Sequence, residues 1–223
     1  MELEKLLEAR KFIIAITAPS GAGKTTVIRE LLERNKGRLG YSVSATTRPR
    51  RDEEADGRDY YFMTSGEFNE HLEKGQFAEW ARVHGYLYGT LADEIDRILA
   101  CRRHVVMDVD IQGANSLRKH YPHGVYIYLM PPSAEELKRR LVSRGTEDSD
   151  SIGKRLKNSV AEIEAFASSD YLVVNQDIKS TCDEITWIIR AEELKVARLP
   201  DPGRIPEVYL GTEGPGKKKE CAE

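Results

Sequence analysis

Residues 12–35 pass from an apolar run, FIIAIT (12–17), through a turn bearing two glycines, SGAGKT (20–25), into TTVIRELLERN (25–35). In that last stretch Val27, Ile28, Leu31 and Leu32 recur at helical spacing. The order is strand, tight loop, amphipathic helix. The same alternation returns along the chain. VVMDVD (105–110), VYIYLM (125–130) and YLVVN (171–175) read as further apolar strands. LADEIDRILACRR (91–103), SAEELKRRLVSR (133–144), IGKRLKNSVAEIEAFA (152–167) and DEITWIIRAEELK (183–195) read as helices. Strands alternating with helices predict an α/β fold on a parallel central sheet.

The segment 41–90 departs from this alternation. YSVSAT (41–46) reads as one strand, the charged stretch 48–59 as a loop, and YYFM (60–63) as a strand. Thr64 with Glu67 three residues on predicts a capping box for the helix that follows. FAEWARVHGYLYGT (77–90) alternates and predicts short strands with a turn near Gly85.

Composition bounds the function classes. A chain of 223 residues, 32% charged and 40% hydrophobic, suits one soluble globular domain with inserted subdomains. A net charge of −3 offers no bulk attraction for nucleic acid. Cys101, Cys182 and Cys221 are far apart and odd in number, which argues against a disulfide framework or zinc site and for a reducing, cytoplasmic compartment. No apolar run approaches the roughly 18 residues of a membrane span. MELEKLLEARK sets Leu3, Leu6 and Leu7 on one helical face and does not read as a secretion signal. The tail from Pro200, rich in Pro, Gly and Lys, is expected to be mobile.

The loop Ala18-Pro19-Ser20-Gly21-Ala22-Gly23-Lys24-Thr25-Thr26 nearly matches the phosphate-binding pattern G-x-x-x-x-G-K-[ST], with Ala18 at the first glycine. Gly21 and Gly23 would let backbone N–H groups approach a phosphate chain, and the helix N-terminus adds a favourable dipole. Lys24 would reach the β- and γ-phosphates, and Thr25 would ligate Mg²⁺. The alternative is a strand–helix turn whose glycines serve geometry alone.

Arg48, Arg50 and Arg51, followed by Tyr60, form a basic loop. Guanidinium forks suit a second phosphate monoester; a solvated basic surface is the plain alternative. In FAEWARVHGYLYGT, Glu79 supplies two acceptors that match the adjacent N1–H and N2–H₂ of guanine, and adenine would leave such a carboxylate unpaired. A hydroxyl from Ser44 or Thr90 could serve guanine O6. A surface ion pair would explain Glu79 equally well. Asp108 and Asp110 end an apolar strand, where acids face the ligand crevice of a parallel sheet. Asp108 would hold Mg²⁺ and Asp110 would orient the acceptor; a strand-end cap is the alternative. Arg140, Arg144 and Arg155 flank the polar break 145–151, as on a closing lid, or on an ordinary charged helix face.

APSGAGKT, SVSATTR, GRDYYF, FAEW, YLYGT, DVDIQG, LKRRLVSRGTE and the segment 152–155 run in one order through residues 12–195, and with them the chain resembles the guanylate kinases. The resemblance implies a P-loop NTPase three-layer fold with a parallel central sheet, a small mixed GMP-binding insert and a helical lid. The implied division is core with P-loop 1–43, insert 44–90, core 91–134, lid 135–168, core 169–198 and a disordered tail 199–223. It implies phosphorylation of GMP, and of dGMP, by ATP with Mg²⁺. Residue by residue, Ala18–Thr26 would bind ATP phosphates, with Arg140, and Asn175 would lie near adenine. Ser44, Glu79 and Thr90 would read guanine. Arg48, Arg51, Tyr60 and Tyr88 would hold the GMP phosphate, with Asp108 and Asp110 beside metal and acceptor. Lys24, Arg48, Arg51, Arg144 and Arg155 would be catalytic. His71, His84, His104, His120 and His123 match no role. No nucleic-acid or membrane partner is expected, and a monomer and a homo-oligomer both remain open. Two rivals stand: a related module without catalysis that binds protein partners, and a P-loop kinase with another phosphorylated acceptor.

Overall fold

Strand β1 (Ile13–Thr17) is buried at every position and sits at the centre of a parallel sheet. It pairs with β7 (His104–Asp108) on one side and β8 (Val125–Met130) on the other. Both faces of such a strand must be covered, which is why its sequence is an unbroken apolar run rather than an alternating one. β2 (Leu39–Tyr41) pairs with β7, and β9 (Tyr171–Val174) with β8, giving the order β2-β7-β1-β8-β9. The structure is a computed structural model, and it describes residues 2–83, 85–143 and 165–212.

Helices cover this sheet. α2 (Lys24–Arg34) buries Val27, Ile28 and Leu31. α4 (Ala92–Ala100) buries Ile95 and Ile98, and α5 (Ile111–His120) buries Ala114 and Leu117. Ile13, Ala15, Val105, Met107 and Tyr126 meet the side chains of α4 and α5 in one apolar cluster.

A second sheet grows from the end of β2. The stretch read as one strand over 41–46 is split: β2 ends at Tyr41 in the first sheet, and β3 (Ala45–Thr46) belongs to the second. Ser42 donates its N–H to Val106 O, so pairing with β7 persists one residue further before the chain leaves it. β3 pairs in parallel with β4 (Tyr61–Phe62) and antiparallel with β6 (Tyr86–Leu91). β6 in turn pairs with β5 (Phe77–Val83), so the order is β4-β3-β6-β5. The left-handed Gly85 (φ 87°) supports the hairpin turn expected there. α3 (Ser65–Glu73) begins in the expected capping box of Thr64 and Glu67. Its Phe68 is fully buried and stacks on Phe77 with ring centroids 4.3 Å apart.

α6 (Ala134–Ser143) follows β8, and α7 (Ile178–Glu193) follows β9, starting ahead of the expected residue 183. The first half of α7 lies against α2, where Arg34 pairs with Asp183 at 3.1 Å and buried Asn35 contacts Thr186. Of the helix expected over 152–167, residues 152–164 lie outside the described residues, as do the polar break 145–151, Arg144, Arg155 and His84; its described end, Ala165–Ser168, is a 3₁₀ turn.

The chain divides into two compact units, 11–186 and 1–10 with 187–223. In the second, α1 (Glu2–Leu7) and α8 (Ile205–Leu210) are the α-helices formed wholly from its own described residues. Arg10 N–H donates to Arg198 O at 2.8 Å, and Arg204 pairs with Glu2 at 2.6 Å. Buried Glu192 takes both Lys195 and Arg198. The expectation of an unstructured tail is therefore corrected for 202–210, which is helical: Asp201 caps it by accepting the Arg204 N–H, and prolines stand in the first turns. Residues 213–223 lie outside the description. Among the described residues no helix is long and apolar enough to cross a membrane.

Ile14 is fully buried at the centre of β1. Replacing it with alanine should cost about 2–5 kcal/mol of unfolding free energy, read as a lowered urea midpoint with an unchanged denaturant slope.

Candidate active site

The parallel register brings the carboxyl ends of β1 and β7 level, Ile16 opposite Asp108. The chain leaves β1 into the loop 18–23, which must turn sharply to start α2. Gly21 (φ 89°) and Gly23 (φ 91°) take left-handed conformations that most side chains disfavour. Gly23 is the N-cap of α2 and has no side chain to cap it. The first N–H groups of a helix lack partners within it, so this end presents donors and a positive dipole.

Loop shape is held from behind. Asn175 donates Nδ2–H to Ala22 O at 2.7 Å and accepts Thr181 Oγ1–H at 3.1 Å. Arg140 donates to Ala22 O and to Asn175 O, both at 3.2 Å, and pairs with Glu136 at 2.7 Å. A Cβ at position 23 would stand 2.8 Å from Asn175 Nδ2, so this bracing also needs the glycine. Two residues far downstream therefore act on the phosphate loop through one carbonyl oxygen. Asn175, expected beside adenine, has its side-chain amide engaged on the loop.

Lys24 crosses from the first turn of α2 to β7. Its ammonium pairs with Asp108 at 2.5 Å and donates to Val109 O at 3.1 Å. Thr25 and Thr26 are exposed beside it. Thr25 carries a hydroxyl and Asp108 a carboxylate, oxygen donors of the kind taken by a hard ion that keeps waters and shares phosphate oxygens.

Beside the Lys24–Asp108 pair opens a cleft of about 150 Å³, lined by Lys24, Ser44, Tyr60, Glu79, Tyr88, Asp108 and Asp110 among others. The second sheet supplies its floor. Glu79 on β5 stands directly across from Thr90 on β6, and Thr90 donates its hydroxyl to Glu79 Oε1 at 2.6 Å. Glu79 is only 7% exposed. Burial pushes its carboxyl up to about 7, against the Thr90 hydrogen bond that pulls it down, and the Asp110 charge adds to the rise. The plain surface-pair explanation for Glu79 does not hold, since its side chain is buried in a cleft with a hydroxyl for company.

Arg48 leaves the end of β3 with its N–H on Thr46 Oγ1 at 3.1 Å. Its guanidinium pairs with Glu54 at 2.7 Å and lies 5.4 Å from the centre of the Tyr60 ring. Tyr60 and Tyr88 meet edge to face at 6.0 Å. Burial, then the Asp108 charge, pushes the Tyr60 hydroxyl up to about 12. Arg51 gives its backbone N–H to Glu54 Oε2 at 2.8 Å while its side chain is exposed. Arg50 donates to Glu54 O at 2.5 Å. His104, matched to no role, is buried against Phe12 with rings 4.1 Å apart.

Sequence spacing does not single out Glu54 or Thr181, which hold Arg48 and Asn175 in place; Glu54 carries a signal, three residues after Arg51 in a basic loop.

The family model described as guanylate kinase matches residues 9–192. A guanylate kinase of Thermotoga maritima is 43% identical over 189 residues, 85% of this chain and 91% of that one. One of Bacillus subtilis is 38% identical over 193 residues, covering 86% and 95%. The crystal structure of guanylate kinase from Anaplasma phagocytophilum superposes with a TM-score of 0.77 at 32% identity, covering 93% of this chain and all of that one.

The raised Glu79 value has a stability consequence. Between pH 4.5 and 7 the folded chain holds a proton at Glu79 that the unfolded chain releases. Stability from this group is therefore lost as pH rises through that window, on the order of 3 kcal/mol in all. Unfolding free energy of the native chain relative to Glu79→Gln should fall across it; a flat difference would remove the assigned desolvation.

Proposed function

The chain belongs to the guanylate kinase family and is an enzyme that phosphorylates GMP to GDP with ATP, and we propose that the cleft between Glu79 and the phosphate loop is where the two nucleotides meet. The observation that carries this assignment is the buried Glu79 carboxylate, held by Thr90 on one oxygen, in the same cleft as Lys24 and Asp108.

Glu79 reads the N1–H and N2–H₂ edge of guanine, and Thr90 and Ser44 flank it. The acceptor phosphate is held by Arg48, Arg51, Tyr60 and Tyr88. Arg48 already stands on Tyr60, its fork held by Glu54, so less rotamer freedom is lost when it turns to a phosphate. The donor phosphates lie along the loop Ala18–Thr26, where N–H groups and the helix dipole favour negative charge. Lys24 exchanges its pairing with Asp108 for the β- and γ-phosphates. Asp110 orients the acceptor.

An oxygen of the GMP phosphate then attacks the γ-phosphorus of ATP, the bond to the β-phosphate oxygen breaks, and ADP leaves. A phosphate dianion is already a nucleophile, so no side chain needs to remove a proton. The work is alignment and charge neutralisation. Thr25 and Asp108 are the residues that would hold Mg²⁺, which when bound neutralises phosphate charge. Arg140, with Arg144 and Arg155 from outside the described residues, completes the cationic surround. dGMP serves as a second acceptor, because none of the roles above uses the ribose 2′-hydroxyl. The activity fits a cytoplasmic enzyme of guanine nucleotide recycling.

Lys24→Met should lower kcat by at least about 10²-fold with an unchanged circular dichroism spectrum; turnover near the native rate would refute its role. With MgATP as donor, GMP and dGMP should be turned over and AMP and UMP rejected by roughly 10⁴-fold in kcat/KM. An acceptor panel in an ADP-release assay measures this, and AMP turnover matching GMP would overturn the assignment of Glu79.

A further inference from the structure

Gly113 is the third residue of α5, and its backbone is helical rather than left-handed. Nothing in the chain path requires a glycine there. Alanine at an internal helix position is favoured over glycine by about 0.5–1 kcal/mol. The space around Gly113 supplies the reason for glycine. A Cβ at this position would stand 2.6 Å from Glu79 Oε2, 3.2 Å from Glu79 Cδ and 3.1 Å from Asp110 Oδ1.

The three groups form one arrangement. Thr90 holds Glu79 Oε1 at 2.6 Å, so the other oxygen is turned to α5. Asp110 caps α5 by accepting the Gly113 N–H at 2.7 Å. α5 packs directly on β5, the strand that carries Glu79. The carboxylate is thus held by a hydroxyl on one side and rests against a bare Cα on the other.

We infer that Gly113 is a positioning residue for guanine selection: the absence of a side chain on α5 is what lets the Glu79 carboxylate keep its Thr90 bond while facing the cleft. The inference rests on the reading of Glu79 as the guanine-recognising group. A methyl group at 113 meets the far end of a side chain rather than backbone, so the fold can yield by rotating the carboxylate. That rotation gives up the Thr90 bond or the aim at the base. The expected signature is unusual for a core substitution: the helix gains propensity and the enzyme loses its acceptor.

The test is a double-substitution cycle on the full chain, with Gly113→Ala, Glu79→Ala and both together. Initial rates at low GMP give kcat/KM, full curves give KM and kcat, and a thermal melt follows folding. Gly113→Ala alone should raise the KM for GMP about tenfold or more, move kcat less, leave the KM for ATP unchanged and not lower the melting midpoint. In the Glu79→Ala background it should change kcat/KM for GMP no further. An unchanged KM for GMP overturns the inference. So does an equal loss in both backgrounds, or a lowered melting midpoint, either of which would make Gly113 a packing residue. If Glu79→Ala itself leaves GMP kinetics unchanged, the guanine reading fails, and this inference with it.

Discussion

The parallel pairing of β1 on both of its edges is the constraint from which the active site follows. A strand hydrogen-bonded to β7 and β8 and covered on both faces can release its chain only at its ends. At the carboxyl end the register sets Asp108 level with Ile16, so the loop and the acid emerge side by side. The loop must then reverse into α2 within a few residues, and left-handed glycines at 21 and 23 permit it. Lys24, the first residue of that helix, consequently lands on Asp108. A shift of one residue in the β1–β7 register would turn alternate side chains to the opposite face and separate these groups.

Charges in and beside the cleft are held by partners within the protein. Lys24 is paired with Asp108, Arg48 with Glu54, and Glu79 is hydrogen-bonded by Thr90. Each group is partly or largely desolvated, and leaving any of them without a partner would cost several times what the pair itself contributes. These internal partners also limit the directions those side chains can take. On the proposed assignment, substrate binding is an exchange of partners rather than an ordering of loose side chains, which is the physical content of preorganisation here.

Much of this was legible in the chain. The apolar runs at 12–17, 105–110 and 125–130 are strands because buried parallel strands have no polar face, and a continuous apolar run announces that. Thr64 and Glu67 form their capping box because that interaction is local. The stretch 41–46 misled because both of its halves are extended, and extended backbone looks alike in either sheet. Only the partners distinguish them: Tyr41 pairs with Val106, whereas Ala45 pairs with Tyr61 and Gly89. The tail over 202–210 misled for a related reason, since its composition is loop-like while Glu2, nearly the whole chain length away, supplies an ion pair.

Sequence alone determined which residues could carry the chemistry: a glycine loop ending in Lys24-Thr25, a cluster of arginines, a glutamate among aromatics, and acids at a strand end. Those identities depend on side-chain chemistry and on spacing within a few residues, which a linear string preserves. Tertiary structure alone decided what each one faces. That Asn175 and Arg140 brace the Ala22 carbonyl, that Glu79 is buried against Thr90, and that the bare Cα of Gly113 lies against the Glu79 carboxylate are all long-range facts. They depend on distances set when helices pack on sheets, and no spacing along the chain encodes those distances.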